Sequence, residues 1–263
     1  MKNITENTPK YTWPASFSRI NSLMTGCESA WIKSYITRQN KAPVKNQHLF
    51  DIGNFVHKVL EECTKRTRKL EDFRNVWDTM ETNYRIVRTH PVEVREFYPY
   101  TKEMYRRVLE FKEERGATWD AEYLLAVDKN FTPVPYRYRY SSMFLGYIDV
   151  LMRINKDVLI ILDYKTEKYT GDTSRLETQL DYYSYFLFKL NPQVNKIVGM
   201  GAYVRDNVVT VVKKDHRENI EALNNRVEGR LHEYVDRVKN IDITKEGQGC
   251  TKDKEQCNWC NFY

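Results

Sequence analysis

Residues 158–162 constrain the fold more than any other segment of the sequence. They form an uninterrupted apolar run, Val-Leu-Ile-Ile-Leu, and a polar turn at residues 155–157 precedes them. A short apolar run bounded by turn residues indicates a buried β-strand. The run ends at Asp163, and an ionised side chain in such a place is costly unless it is paired or bound to a metal. The segment therefore predicts a buried strand with an acidic group at its end.

The first half of the sequence has the periodicity of helices. Apolar residues at steps of three and four predict an amphipathic helix from residue 16 to about 35, capped by Ser16 or Ser18, within an N-terminal segment at 15–40. A second helix is expected at about 50–64. A charged and mostly helical insertion is expected at 71–116, with a break near His90 and Pro91.

The pattern changes after residue 120, where short runs rich in Tyr, Phe, Val and Ile replace the helical period. Strands are predicted at about 122–131, 143–151, 158–164, 196–204 and 207–213, and helices at about 174–190 and 215–238. This order predicts an α/β fold. We expect a single domain over 1–263, with its core at 120–213 and a cysteine-containing tail at 241–263.

Composition limits the class of protein without identifying it. Hydrophobic residues make up 41% and charged residues 30% of the chain, which is typical of a folded soluble protein. The formal net charge of +6 favours encounter with a polyanion, although most surface Lys and Arg side chains are simply solvated. The sequence contains neither a run near the roughly 18 apolar residues of a membrane helix nor a signal-peptide core. We expect a cytoplasmic protein that does not associate with membranes. If the protein is encoded by a phage, we expect it to act in the cytoplasm of the host.

Two acids and a lysine carry the strongest chemical signal. Asp149 follows Gly146-Tyr-Ile, and Asp163 is separated by one residue from Lys165. If the two strands pair as a hairpin, both carboxylates converge on one point, as a hard cation such as Mg²⁺ or Mn²⁺ requires. Lys165 would project to the same side as Asp163 and meet a scissile phosphate. The alternative is a surface ion pair between Asp163 and Lys165, with Asp149 as a turn residue.

Two further elements are compatible with the same site. His57 lies four residues after Gly53 on a predicted helix, where a neutral imidazole can join a metal shell or be purely structural. Gln179 and Tyr183 share one face of another predicted helix. They could contact a nucleic-acid backbone or hold Lys165 in register, and the alternative is an ordinary amphipathic helix.

These motifs together resemble the RecB-like and AddB-like PD-(D/E)XK nucleases, including the iron–sulfur exonucleases of CRISPR adaptation. The resemblance follows the family's order through Gly-x-x-x-His at 53–57, Gly-x-x-Asp at 146–149, Asp-Tyr-Lys at 163–165 and Gln-x-x-x-Tyr at 179–183. It implies a restriction-endonuclease-like core, with a central mixed sheet flanked by helices. Many members of the superfamily carry Glu at the position of Asp163, whereas Asp is common at this position in the RecB-like branch. A further acidic position of the family corresponds to Asp128, without an assigned role.

The resemblance also implies roles for single residues. The catalytic metal would be bound by His57, Asp149, Asp163 and the carbonyl of Tyr164. Catalytic roles fall to Asp149, Asp163 and Lys165, with Gln179 and Tyr183 in support.

Four of the five cysteines predict a second metal centre. Cys27 stands near one end of the sequence, and Cys250, Cys257 and Cys260 stand near the other. Clustered thiols in a reducing compartment indicate metal ligation before disulfides. The residues are compatible with zinc, and the resemblance implies a [4Fe–4S] cluster, although the spacing departs from the Cys-x2-Cys-x5-Cys order of that group. Cys63 is predicted to be a buried thiol.

We therefore predict a Mg²⁺- or Mn²⁺-dependent DNA nuclease, an exonuclease of single strands or DNA ends, in recombination, repair or phage or CRISPR DNA processing. The sequence has no P-loop, so duplex unwinding would need a helicase or recombination partner. The alternatives are a non-cleaving nucleic-acid-binding or adaptor subunit with the same fold and, less favoured, a structural zinc protein.

Overall fold

The computed structural model describes residue 9, residues 12–38 and residues 47–241, which divide into two compact units. The first unit draws its described residues from 1–45, 125–146 and 221–263, and the second from 46–124 and 147–220. The prediction of one domain over 1–263 stays a prediction. No helix among the described residues is long and apolar enough to cross a membrane.

The described residues contain one five-stranded mixed sheet. Its strands lie in sequence order: β1 (Thr118–Val127), β2 (Phe144–Arg153), β3 (Val158–Lys165), β4 (Lys196–Tyr203) and β5 (Val208–His216). β3 pairs antiparallel with β2 and parallel with β4, and β4 pairs antiparallel with β5. The predicted buried strand at 158–164 is thus β3, the middle strand, which has a neighbouring strand on each side.

Helices of the second unit cover both faces of this sheet. They are α3 (Gln47–Lys65), α4 (Phe73–Asn83), α5 (Arg85–Thr89), α6 (Pro91–Glu114) and α7 (Ser174–Leu190). One core cluster joins apolar residues of α3, α4 and α6 to Val150 of β2 and to Ile160 and Leu162 of β3. The opposite face receives α7, which connects β3 to its parallel neighbour β4.

Two glycines of β4 explain how closely α7 approaches the sheet. A Cβ atom at residue 199 would lie 2.7 Å from Leu180 Cδ1, and one at residue 201 would lie 2.8 Å from Leu176 Cδ2. Both leucines belong to the buried side of α7. Because Gly199 and Gly201 have no side chain, the two leucine side chains can lie directly on the backbone of β4.

The first unit contains α1 (Phe17–Thr25), α2 (Glu28–Tyr35) and most of α8 (Ile220–Asn240). The hydroxyl of Tyr234 in α8 donates a hydrogen bond to the Thr12 carbonyl, and its ring makes an edge contact with Trp31. As the sequence predicted, the Ser16 hydroxyl caps α1 by accepting from the Arg19 amide at 3.2 Å.

Three predicted elements need correction. The helix expected at 215–238 begins only at Ile220, because β5 continues to His216 and a 3-10 helix, Arg217–Asn219, follows it. The helix expected at 16–35 is two helices, because the backbone of Gly26 is extended (φ −104°, ψ −160°), so α1 ends at Thr25 and α2 begins at Glu28. The strand expected at 122–131 runs instead from Thr118 to Val127. It stops because the Asp128 side chain accepts hydrogen bonds from the amides of Asn130 and Thr132, each at 2.8 Å, and so forms a turn.

Candidate active site

His57 of α3 lies beside Asp149 of β2. His57 Nδ1 lies 3.5 Å from Asp149 Oδ2, and the same oxygen accepts a hydrogen bond from the Tyr164 amide at 2.7 Å. The His57 ring also makes an edge contact with the Tyr164 ring. Gly53, one helical turn before His57, brings α3 close to the end of β3, since a Cβ atom there would lie 2.9 Å from Thr166 Oγ1.

Asp163 lies opposite α7 and is 5% exposed. Gln179 Nε2 donates to its Oδ1 atom at 2.9 Å, and Lys165 Nζ forms an ion pair with its Oδ2 atom at 2.7 Å. Alternation along β3 accounts for this pairing, because residues 163 and 165 project to the same side of a strand. The Oδ2 atom is buried and accepts no hydrogen bond of good geometry from any described residue.

Gln179 and Tyr183 lie one helical turn apart on α7 and are joined to each other. Gln179 Nε2 donates to the Tyr183 hydroxyl at 3.1 Å, and that hydroxyl donates to the Tyr147 carbonyl of β2 at 2.8 Å. The chain of contacts runs from β2 through α7 to Asp163. Both side chains therefore hold the acidic end of β3 in place.

β2 and β3 bring the two acids together by their register. Val150 pairs with Leu162, and these two residues are the chain neighbours of Asp149 and Asp163. The structure thus gathers His57, Asp149, Asp163, Lys165, Gln179 and Tyr183 within the second unit. The alternative of an exposed Asp163–Lys165 pair is not what the structure contains, since Asp163 is buried.

The charges of the cluster shift the pKa values of its members. Burial, and then repulsion from Asp149, raise the pKa of Asp163, while the ammonium of Lys165 opposes the change. Burial disfavours charge on Lys165, but the Asp163 carboxylate outweighs it and raises the lysine's pKa. Burial likewise acts against protonation of His57, yet the hydrogen bond and charge of Asp149 raise its pKa.

A family model described as the PD-(D/E)XK nuclease superfamily matches residues 14–263. The chain belongs to the PD-(D/E)XK nuclease superfamily. The fold also resembles the crystal structure of a protein from Eubacterium rectale whose exonuclease assignment is itself a prediction, with a TM-score of 0.52 at 12% identity. The similarity covers 99% of this chain and 91% of that one, and it shows the shared fold. No curated protein matches the sequence.

Membership of this superfamily confirms the predicted α/β core with a mixed sheet flanked by helices. PD-(D/E)XK nucleases usually use divalent metals such as Mg²⁺. The RecB-like and AddB-like branch and the role of each site residue stay predictions.

The donor set fits a hard divalent cation, although no three His, Cys, Asp or Glu side chains of the described residues are already arranged as a metal site. Asp149 and Asp163 supply carboxylate oxygens and His57 a ring nitrogen, which are ligands of Mg²⁺ and Mn²⁺. The buried Oδ2 atom of Asp163 lies 2.7 Å from Lys165 Nζ but accepts no hydrogen bond of good geometry from the described residues. A cation there would offset the repulsion between the two acids that raises the pKa of Asp163.

Glu122 is an acidic neighbour of the cluster that the sequence did not reveal. Burial, followed by the charges of Asp149 and Glu61, raises its pKa. Its backbone has φ of +49° within β1, a conformation rare for a residue with a side chain. The family resemblance pointed to Asp128 instead, whose side chain forms a turn. Glu122 sits inside an ordinary strand pattern, so no local signal distinguishes it.

The predicted cysteine centre falls mostly outside the described residues. Cys27 is half-buried, unpaired with another described cysteine, and immediately precedes α2. Cys250, Cys257 and Cys260, with the rest of the tail at 241–263 after Ile241, lie beyond what the structure describes. Cys63 is fully buried on α3, and burial raises the pKa of its thiol to about 12.

Proposed function

We propose that the protein is a Mg²⁺- or Mn²⁺-dependent nuclease that hydrolyses DNA phosphodiester bonds. The carrying observation is the convergence of Asp149, Asp163 and Lys165 from the paired strands β2 and β3. His57, Asp149, Asp163 and the carbonyl of Tyr164 would hold the cation. A divalent cation bound there supplies a Lewis acid for the phosphate and lowers the pKa of an attacking water.

The chain's own residues would orient the reacting groups. Lys165 presents its ammonium beside Asp163, where it would meet negative charge that develops on the scissile phosphate. Gln179 donates to one oxygen of the Asp163 carboxylate, and the other oxygen lies beside Lys165. Tyr183 fixes Gln179 relative to β2 through the Tyr147 carbonyl. These contacts preorganise the acids before substrate binds.

Exonuclease action on single strands or free ends is the favoured form of this activity. It is supported by the exonuclease assignment of the structurally similar protein and by the resemblance to RecB-like nucleases. Roles in recombination, repair or phage or CRISPR DNA processing belong to the same proposal. A helicase or recombination protein would supply the unwound strand, since the sequence has no P-loop.

The test is cleavage of labelled linear single strands, linear duplexes and closed circular single strands in Mg²⁺, Mn²⁺ and EDTA. Asp149→Ala, Asp163→Ala and Lys165→Ala should each abolish metal-dependent cutting while remaining folded. Asp78→Ala is the matched control, since Asp78 lies on α4 in an exposed ion pair with Arg74. Cutting of linear but not circular strands indicates an exonuclease. Normal cutting by the Asp163→Ala protein would refute the proposed site.

A non-cleaving DNA-binding or adaptor subunit is the second candidate. The observation in its favour is that the buried Asp163 carboxylate is already paired with Lys165, an arrangement that needs no metal. This candidate predicts binding of DNA with no cleavage in Mn²⁺ under any of the conditions above. Retention of both acids and the lysine favours the nuclease.

We also propose that Cys27, Cys250, Cys257 and Cys260 hold one [4Fe–4S] cluster, with zinc as the alternative. Four thiolates complete the coordination of either group. Brown anaerobic protein with about four irons per chain would support the cluster, and colourless protein with one zinc would replace it. Cys27→Ser should lower metal content and stability together, whereas Cys63→Ala should spare the metal.

A further inference from the structure

The connection between β1 and β2 carries a short 3-10 helix, Tyr136–Ser141, with the sequence Tyr-Arg-Tyr-Arg-Tyr-Ser. Tyr136, Tyr138 and Tyr140 are 62%, 55% and 67% exposed. By contrast, tyrosines such as Tyr182 and Tyr234 are fully buried. Three exposed rings within five residues cannot be explained by packing of a core. We call residues 136–140 the tyrosine–arginine surface.

Each ring of this surface lies against a guanidinium group. The Arg139 guanidinium carbon lies 4.0 Å from the centroid of Tyr136 and 4.4 Å from that of Tyr140, and Arg137 lies 4.7 Å from Tyr138. Arg139 also donates to the Tyr136 carbonyl at 3.0 Å and to the Tyr140 hydroxyl at 3.2 Å. A guanidinium on one side of a ring leaves the other side for a further planar group.

Both ends of the tyrosine–arginine surface are anchored in the first unit. The Tyr138 amide donates to the Pro135 carbonyl at 2.8 Å, and the Ser142 hydroxyl donates to the Arg139 carbonyl at 2.6 Å. Met143, which is buried, donates its amide to the Val127 carbonyl at 2.7 Å. The rings are therefore presented by a fixed backbone, so little conformational entropy would be lost on binding.

We propose that the tyrosine–arginine surface binds single-stranded nucleic acid by stacking of bases on Tyr136, Tyr138 and Tyr140. Arg137 and Arg139 would contact phosphates of the same strand. Aromatic rings interleaved with arginine suit a flexible polyanion whose bases are unpaired, and the net charge of +6 agrees with such a ligand. An apolar protein partner fits less well, because it would have to desolvate both guanidinium groups. The choice of DNA as the strand rests on the proposed nuclease function.

The binding test uses a fluorescent oligothymidylate of about 16 nucleotides, a length that covers known single-strand site sizes. All proteins carry Asp163→Ala so that the probe is not cut. Replacing the three tyrosines by alanine should weaken binding by at least about 100-fold, since each of the three stacked bases contributes about fivefold or more. Replacing all three by phenylalanine should restore binding to within about twofold, because phenylalanine keeps the stacking face.

Three controls test whether the effect is specific to this surface, whether it comes from stacking rather than charge, and whether the variants stay folded. Tyr100→Ala removes a tyrosine on α6 that is 41% exposed and should leave the affinity unchanged. An abasic oligonucleotide of the same length should bind the wild-type and triple-alanine surfaces equally, because it offers phosphates without bases. The thermal unfolding midpoints of all variants should agree, so that a binding loss reports the surface itself.

The outcomes distinguish this surface from the proposed catalytic site. If the unmodified chain cuts DNA but the triple-alanine variant binds the oligothymidylate normally, the surface proposal is wrong and the nuclease stands. If no DNA is cut but binding depends on the three tyrosines, the surface stands and the nuclease fails. Equal losses for the abasic and thymidylate probes, or failure of the phenylalanine variant to restore binding, would overturn the stacking proposal.

Discussion

Lys213 neutralises two acids between α7 and β5, and its removal should lower the free energy of unfolding substantially. The Lys213 ammonium forms ion pairs with Asp181 of α7 and, at 3.1 Å, with Asp215 of β5. The three side chains are only 6%, 5% and 11% exposed. Lys213 lies beside Gly199 of β4, where a Cβ atom would be 3.0 Å from its Cγ atom. The lysine thus passes over a glycine to reach the helix that carries Gln179.

Lys213→Met keeps the length and apolar part of the side chain but leaves two buried carboxylates without the compensating ammonium. Breaking a buried ion pair by removing one partner costs about 3–5 kcal/mol. This is a large part of the roughly 5–15 kcal/mol by which a domain is stable. At roughly 2–4 °C per kcal/mol for a chain of this size, the unfolding midpoint should fall by at least about 6 °C.

The assay is urea and thermal unfolding followed by far-ultraviolet circular dichroism. Arg66→Met is the matched control, because Arg66 pairs with Glu62 at 3.5 Å with 63% of its side chain exposed, and it should cost less than about 1 kcal/mol. Adding Asp181→Asn and Asp215→Asn to Lys213→Met should recover most of the loss, since no buried charge then remains. Equal small losses in Lys213→Met and Arg66→Met would refute the reasoning.

Gly26→Ala should destabilise the protein by about 1–3 kcal/mol, because the new methyl group collides with the Ser22 carbonyl. Gly229→Ala, which meets open space within α8, should stabilise the protein by about 0.5–1 kcal/mol. Urea unfolding measures both changes, and a loss of stability at both positions would contradict the argument. His57→Ala should weaken Mn²⁺ binding more than folding, which calorimetric titration tests, and an unchanged affinity would return His57 to a structural role. Burial raises the pKa of Cys63 from 9.0 to about 12, so only the unfolded chain ionises this thiol between those values and its contribution to stability should fall as pH rises through that window. Cys63→Ala should flatten that part of the stability–pH curve, and identical curves would argue against the shift.

The sequence alone determined most secondary-structure elements, because the spacing of apolar residues along a segment is a local property. The predicted helix at 174–190 and the predicted strand at 158–164 agree with α7 and with β3 to within one residue. Local patterns failed where a backbone contact ended an element. Gly26 divides a helix whose apolar spacing continues across it, and the Asp128 side chain ends β1.

The sequence also predicted which residue types would carry the chemistry, since Asp149 follows Gly146-Tyr-Ile and Asp163 and Lys165 directly follow the apolar run at 158–162. Only the tertiary structure decided how they are held. The Gln179 bond to Asp163 depends on the crossover of α7 between parallel strands, which no local pattern encodes. Glu122 joins the acidic cluster through a strained position in β1. Side-chain period is set within one segment, whereas convergence of charges depends on strand register and helix packing between segments far apart in the chain.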